Sequence, residues 1–158
     1  MKRLAKPKKG FVKGDEMVSV LIIAHGNLAR ELLDTVMFIT GGEGVMEAIA
    51  LDHNVEVEQA RNMVKEEIRN IDDGGGVLIM TDLYGGAPSN ICMSLQDDMK
   101  FEILAGINLP ALVKAVSLQK THDLETMAKK LKDYAKENVY LASDFLKESD
   151  EKGEGKGK

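Results

Sequence analysis

Two residues in the 158-residue chain stand where chemistry would be expected. His25 closes the apolar run Val18–Ala24 (VSVLIIA) and is followed by Gly26 and Asn27. Asp82 follows a second apolar run, Val77–Thr81 (VLIMT). If both runs are buried strands, both side chains reach the same rim of a sheet. A carboxylate bonded to one imidazole nitrogen fixes the tautomer and leaves the other nitrogen free as a nucleophile. It also stabilises positive charge on the ring. Those are the requirements of a histidine that attacks as a neutral base and then carries a phosphoryl group. Taken alone, His25 better suits a half-buried ring bonded to a loop carbonyl, and Asp82 is what changes the weighing.

The segment after Asp82 reads Leu83-Tyr84-Gly85-Gly86-Ala87-Pro88-Ser89-Asn90. Paired glycines let backbone approach a ligand closely, and Pro88 suits the first turn of a helix, where free N–H groups favour an anion. Ser89 and Asn90 add polar side chains. The same residues also make an ordinary tight βα turn. Of the remaining histidines, His53 follows a weaker strand and His122 precedes a helix, each reading more simply as a structural or surface residue. Cys92, the single cysteine, falls on the apolar side of a helix and reads as core. No metal-ligand spacing, GxxxxGK[ST] or GxGxxG is present, so neither a metal nor a nucleotide cofactor is expected.

The elements that would position these residues alternate in type. Strand-like runs at Val18–Ala24, Val45–Leu51, Val77–Thr81 and Phe101–Ala105 are separated by segments with helical periodicity. Those segments are Leu28–Ile39 with Asn27 as its expected N-cap, Val55 to about Asn70 capped by Asn54, Pro88 to about Leu95, a helix with Pro110 near its start, and Asp123 to about Lys136 capped by Thr121. Val139–Leu141 reads as a short last strand. The pattern predicts an α/β fold in three layers, with an open, mostly parallel sheet covered by helices on both faces. In such sheets ligands sit beyond the carboxyl ends of the strands at a topological switch point. His25 and Asp82 occupy those ends.

Composition narrows the function further. Hydrophobic residues are 44% and charged residues 30%, an ordinary globular balance for one domain. One cysteine permits no internal disulfide and fits a cytoplasmic location. No apolar run is long enough for a membrane helix, and no secretory signal is present. Aromatics are 4% with no Trp, which disfavours a stacking platform for single-stranded nucleic acid. Residues 1–16 hold six Lys/Arg against two acids, whereas the rest holds 15 against 24. The expected organisation is a basic arm at 1–16, a folded domain at 17–143 and a charged, glycine-containing tail at 144–158. The arm reads as a disordered extension, or as a start codon set ahead of Met17, rather than as a nucleic-acid contact.

Three stretches together resemble the IIA domain of the mannose–fructose–sorbose family of the bacterial sugar phosphotransferase system. They are Val20–Gly26 (VLIIAHG), Val77–Asn90 (VLIMTDLYGGAPSN) and Ile103–Val113 (ILAGINLPALV), in the family's order and in register from Met17 to about Lys136. The resemblance implies a homodimer in which an antiparallel C-terminal edge strand can be exchanged between subunits. It implies that His25 accepts a phosphoryl group from phospho-HPr, itself charged by phosphoenolpyruvate through Enzyme I, and passes it to a IIB protein. Asp82 matches the histidine's partner, and Gly26, Gly85, Gly86 and Ser89 are candidates for lining the phosphate site. No IIB domain follows in this sequence, so the acceptor would be a separate chain, associated peripherally with a IIC/IID permease. The basic arm has no counterpart in the family pattern.

Three other readings compete. A receiver-like domain phosphorylated on Asp82 would need an acidic pair after the first strand, where Ala24-His25-Gly26 stands. A flavodoxin-like protein would need hydroxyl residues in the first βα loop. A regulatory phosphoprotein or binding module of the same fold, without sugar transport, is compatible with every residue named above.

Overall fold

A computed structural model of the chain describes residues 16–51, 54–96 and 99–144. Among the described residues nine elements follow one another: β1 (Ser19–His25), α1 (Leu28–Thr40), β2 (Met46–Leu51), α2 (Val57–Ile71), β3 (Val77–Thr81), α3 (Ala87–Met93), β4 (Phe101–Ala105), α4 (Leu109–Leu118) and α5 (Leu124–Glu137). The four strands form one sheet in the order β2-β1-β3-β4, and every pairing is parallel. The register sets Ile23 opposite both Ile49 and Thr81, and Thr81 opposite Ala105.

Alternate residues of the two central strands feed two separate cores. Val20, Ile22 and Ala24 of β1 and Leu78 and Met80 of β3 pack with α1, α4 and α5. Leu21, Ile23, Val77 and Ile79 pack on the other face with α2 and α3. Because both faces are covered, β1 and β3 need apolar side chains at nearly every position, which is why they read as continuous apolar runs rather than alternations. Burying each of Leu21, Ile22, Ile23 and Ile79 contributes about 1.5–3 kcal/mol. The helices cover the sheet with narrow stripes, Ala60-Val64-Ile68-Ile71 in α2 and Leu124-Met127-Leu131 in α5.

Local signals set most boundaries. Gly41 adopts the left-handed conformation that ends α1, and its N–H returns to the Met37 carbonyl. Asn108 and Asp123 cap α4 and α5 through side-chain bonds to Ala111 N–H and Thr126 N–H. The cap of α5 is therefore Asp123 and not Thr121, whose hydroxyl bonds back to the Leu118 carbonyl. Asn27 and Asn54 do not cap by side chain either. Asn27 has helical φ and ψ, and α2 begins only after Glu56.

Val139–Leu141 departs from the expected strand. Within a single chain these residues carry no strand, and Val139, Tyr140 and Leu141 are 76%, 66% and 65% exposed. The sheet therefore ends at β4 among the described residues. A three-residue apolar run has strand propensity but needs a neighbouring strand to supply ladder bonds, and none lies beside it here.

Candidate functional site

The strand order creates the site. After β1 the chain crosses to β2 on one side, and after β3 it crosses to β4 on the other. The loops leaving the two central strands diverge and leave a crevice at their carboxyl ends. His25 is the last residue of β1, and Asp82 is the first residue after β3.

The two side chains meet there. Asp82 Oδ2 lies 2.8 Å from His25 Nδ1, and the same oxygen accepts the His25 backbone N–H at 3.1 Å. Oδ1 accepts Leu83 N–H at 2.9 Å. The carboxylate thus binds ring and backbone of one residue, which fixes the orientation of the imidazole. Partial burial pushes the Asp82 carboxyl up. The bonds from the His25 ring, His25 N–H and Leu83 N–H, with the charge of His25, outweigh that and hold it below its ordinary value of 3.8. An ionised acceptor at Nδ1 places the ring proton on that nitrogen and leaves the Nε2 lone pair free. The His25 side chain is 34% exposed and Asp82 12%, so the ring reaches solvent while its partner is mostly covered.

The loop that follows Asp82 brings Gly86 against the ring. A Cβ at Gly86 would lie 2.9 Å from His25 Cε1 and 3.5 Å from Nε2, so only glycine leaves the ring its place. Gly86 itself is extended, with φ −73° and ψ 168°. Gly85 needs its glycine for a different reason, a φ of +78° with open space around it. Gly26 also has positive φ, +56°, and its N–H is taken by the Leu51 carbonyl at 3.1 Å. Ser89 is buried at 1%, and its hydroxyl donates to the Gly86 carbonyl at 3.0 Å. Its side chain therefore acts on the loop.

A family model described as "PTS system fructose IIA component" matches residues 19–132, more than half of the chain. The chain belongs to the mannose/fructose family of phosphotransferase-system IIA components. This IIA component is 26% identical over 131 residues to the "PTS system fructose-specific EIIA component" of Bacillus subtilis, covering 82% of this chain and 90% of that protein. It is 28% identical over 103 residues to the "PTS system mannose-specific EIIAB component" of Escherichia coli, covering 63% of this chain. There it spans only 31% of the relative's length. In solved structures it is similar to phosphotransferase system component EIIA from Streptococcus agalactiae. That similarity has a TM-score of 0.74 and 26% identity over 81% of this chain and 99% of the other. The family is one of phosphotransfer proteins.

The other sequence candidates fall apart from this IIA site. His53 lies outside the described residues. His122 sits just ahead of α5, its Nδ1 bonded to Thr121 Oγ1 at 2.8 Å. Cys92 is fully buried in the α2/α3 core, and burial pushes its thiol up to about 12. No described helix is long and apolar enough to cross a membrane, and no metal-ligating cluster occurs among the described residues. One contributor was missed in the sequence. Asn90 was legible only as a polar neighbour, yet its side-chain amide donates to the Gly85 carbonyl at 3.0 Å. Its spacing from the glycine pair, five residues after Gly85 and about one turn into α3, is the signal that could have shown it.

Proposed function

We propose that this protein is a phosphocarrier of the sugar phosphotransferase system, which accepts a phosphoryl group from phospho-HPr on His25 and passes it to a IIB component for uptake of a mannose/fructose-family sugar. The single observation that supports this most is the contact of Asp82 Oδ2 with His25 Nδ1 beside a glycine loop that leaves Nε2 open. In the transfer, the Nε2 lone pair of neutral His25 attacks phosphorus as the P–N bond of the donor phosphohistidine breaks. The bonding pair returns to the donor nitrogen. The proton on Nδ1 stays, so the phosphorylated ring is cationic and faces the Asp82 carboxylate. The donor ring, protonated on its other nitrogen throughout, goes from cationic to neutral as it leaves, and no net proton moves.

Such in-line transfer is mainly positioning and charge neutralisation. Gly86 N–H is a backbone donor available to the phosphoryl oxygens, since it has no acceptor among the described residues and its residue lies against the His25 ring. Gly26 N–H is engaged by Leu51, so Gly26 contributes through its turn. Ser89 contributes by holding the Gly86 carbonyl. The working unit is a homodimer in the cytoplasm, and the exposed segment Val139–Leu141 is the piece that a second subunit would cover.

Incubation with radiolabelled phosphoenolpyruvate, Enzyme I and HPr tests the assignment. Wild type should take up acid-labile, base-stable label, and His25→Ala none. Label that persists in His25→Ala and is lost in base would transfer the chemistry to a carboxylate and end this reading.

A further inference from the structure

Asn90 is exposed in the middle of α3, but its amide nitrogen is committed to the Gly85 carbonyl, 3.0 Å away. A trans peptide unit is planar, with its C=O and N–H pointing in opposite directions. The carbonyl of Gly85 and the N–H of Gly86 belong to one such unit. Holding the carbonyl toward Asn90 therefore turns the Gly86 N–H away from α3. That N–H donates to no acceptor among the described residues. The Gly86 Cα lies against the His25 ring, as the 2.9 Å and 3.5 Å approaches of a Cβ there to Cε1 and Nε2 require. The next unit is tied as well, since the Gly86 carbonyl accepts Asn90 N–H and the Ser89 hydroxyl, each at 3.0 Å. Without the Asn90 amide, the Gly85–Gly86 unit could rotate, because both flanking residues are glycine and Gly85 meets nothing within 4 Å at its Cβ position.

We infer that Asn90 is a positioning residue of the transfer site, which holds the Gly85 carbonyl so that the Gly86 N–H is presented to the oxygens of a phosphoryl group on His25 Nε2. Asn90 touches neither the ring nor the phosphoryl group and moves no proton. The inference rests on the phosphocarrier reading above.

The test compares wild type with Asn90→Ala and with the near-isosteric Asn90→Asp, which lacks the donor. Two quantities are read: the rate of transfer from phospho-HPr, and the amide proton shift of Gly86 before and after phosphorylation. In wild type the Gly86 amide should move downfield when His25 is phosphorylated, as it gains an anionic acceptor. Both variants should keep a wild-type melting profile, transfer about tenfold or more slowly, and lose that shift. A merely structural role would not abolish the shift in a protein of unchanged stability. Transfer at the wild-type rate in either variant overturns the inference, as does a Gly86 shift that persists in both, while the phosphocarrier reading stands. Absence of label in wild type overturns both.

Discussion

A methyl group on Gly86 would lie 2.9 Å from Cε1 of His25, closer than a side-chain carbon normally approaches another atom. Gly86 has an ordinary extended backbone, so its glycine serves the ring and not the chain. Gly85, one residue earlier, is the reverse case, with positive φ and empty space around it. Adjacent glycines thus answer to two different physical demands.

The two demands separate in mutants. Gly86→Ala should fold with little loss of stability but slow phosphoryl transfer by about tenfold or more, because the ring must shift from the position Asp82 gives it. Gly85→Ala should lower stability by about 1 kcal/mol through strain at positive φ. Melting curves and transfer rates on both variants distinguish them. Equal stability losses, or an unchanged rate in Gly86→Ala, would contradict the assignment.

Asp82→Asn should preserve the fold and slow transfer by about a hundredfold or more, since the amide cannot stabilise the cationic phosphorylated ring and can impose the other tautomer. The pair also has a signed pH dependence. The folded Asp82 carboxyl lies below its ordinary value of 3.8, so its stabilisation is complete above that value and is lost as pH falls through the lower folded value. The melting-temperature difference between wild type and Asp82→Asn should shrink as pH falls below 3.8 toward the lower folded value. A difference that grows over that acid range would contradict the assignment of an ionised, hydrogen-bonded Asp82.

Much of this arrangement was legible from sequence, for one reason. A strand buried on both faces admits only apolar residues, so β1 and β3 announced themselves, and the polar residues ending them, His25 and Asp82, stood out by contrast. The strand bounds of β3 and β4 match the sequence reading residue for residue. What escaped was set by partners remote in sequence. Asn27 and Asn54 have capping chemistry but lack capping geometry, whereas Asp123 has both. The apolar triplet Val139–Leu141 needs a strand beside it, which periodicity does not reveal. The separate tasks of Gly85, Gly86, Ser89 and Asn90 depend on where the His25 ring lies, 57 residues before its partner Asp82.

Asn108 offers a check on the fold alone. Its side chain accepts Ala111 N–H at 3.0 Å and donates to the Ala135 carbonyl at 2.9 Å, capping α4 while tying it to α5. Asn108→Ala should cost about 1–2 kcal/mol in denaturant unfolding and leave the chemistry at His25 intact. A loss below a few tenths would remove the cap from the account.

Cys92 should be inert in the native state. Its thiol is buried and pushed up to about 12, so almost no thiolate forms at neutral pH. Native protein should resist a thiol reagent that labels the unfolded chain at once. Rapid native labelling would mean that α3 opens easily, and with it the loop that α3 holds over His25.

The most direct measurement is a long-range proton–nitrogen correlation spectrum of the imidazole rings before and after phosphorylation by phospho-HPr. The expected result is a phosphoryl group on Nε2 of His25, with the proton retained on Nδ1 opposite Asp82. Phosphorylation at Nδ1, or on any group other than His25, would contradict the geometry from which the mechanism is built.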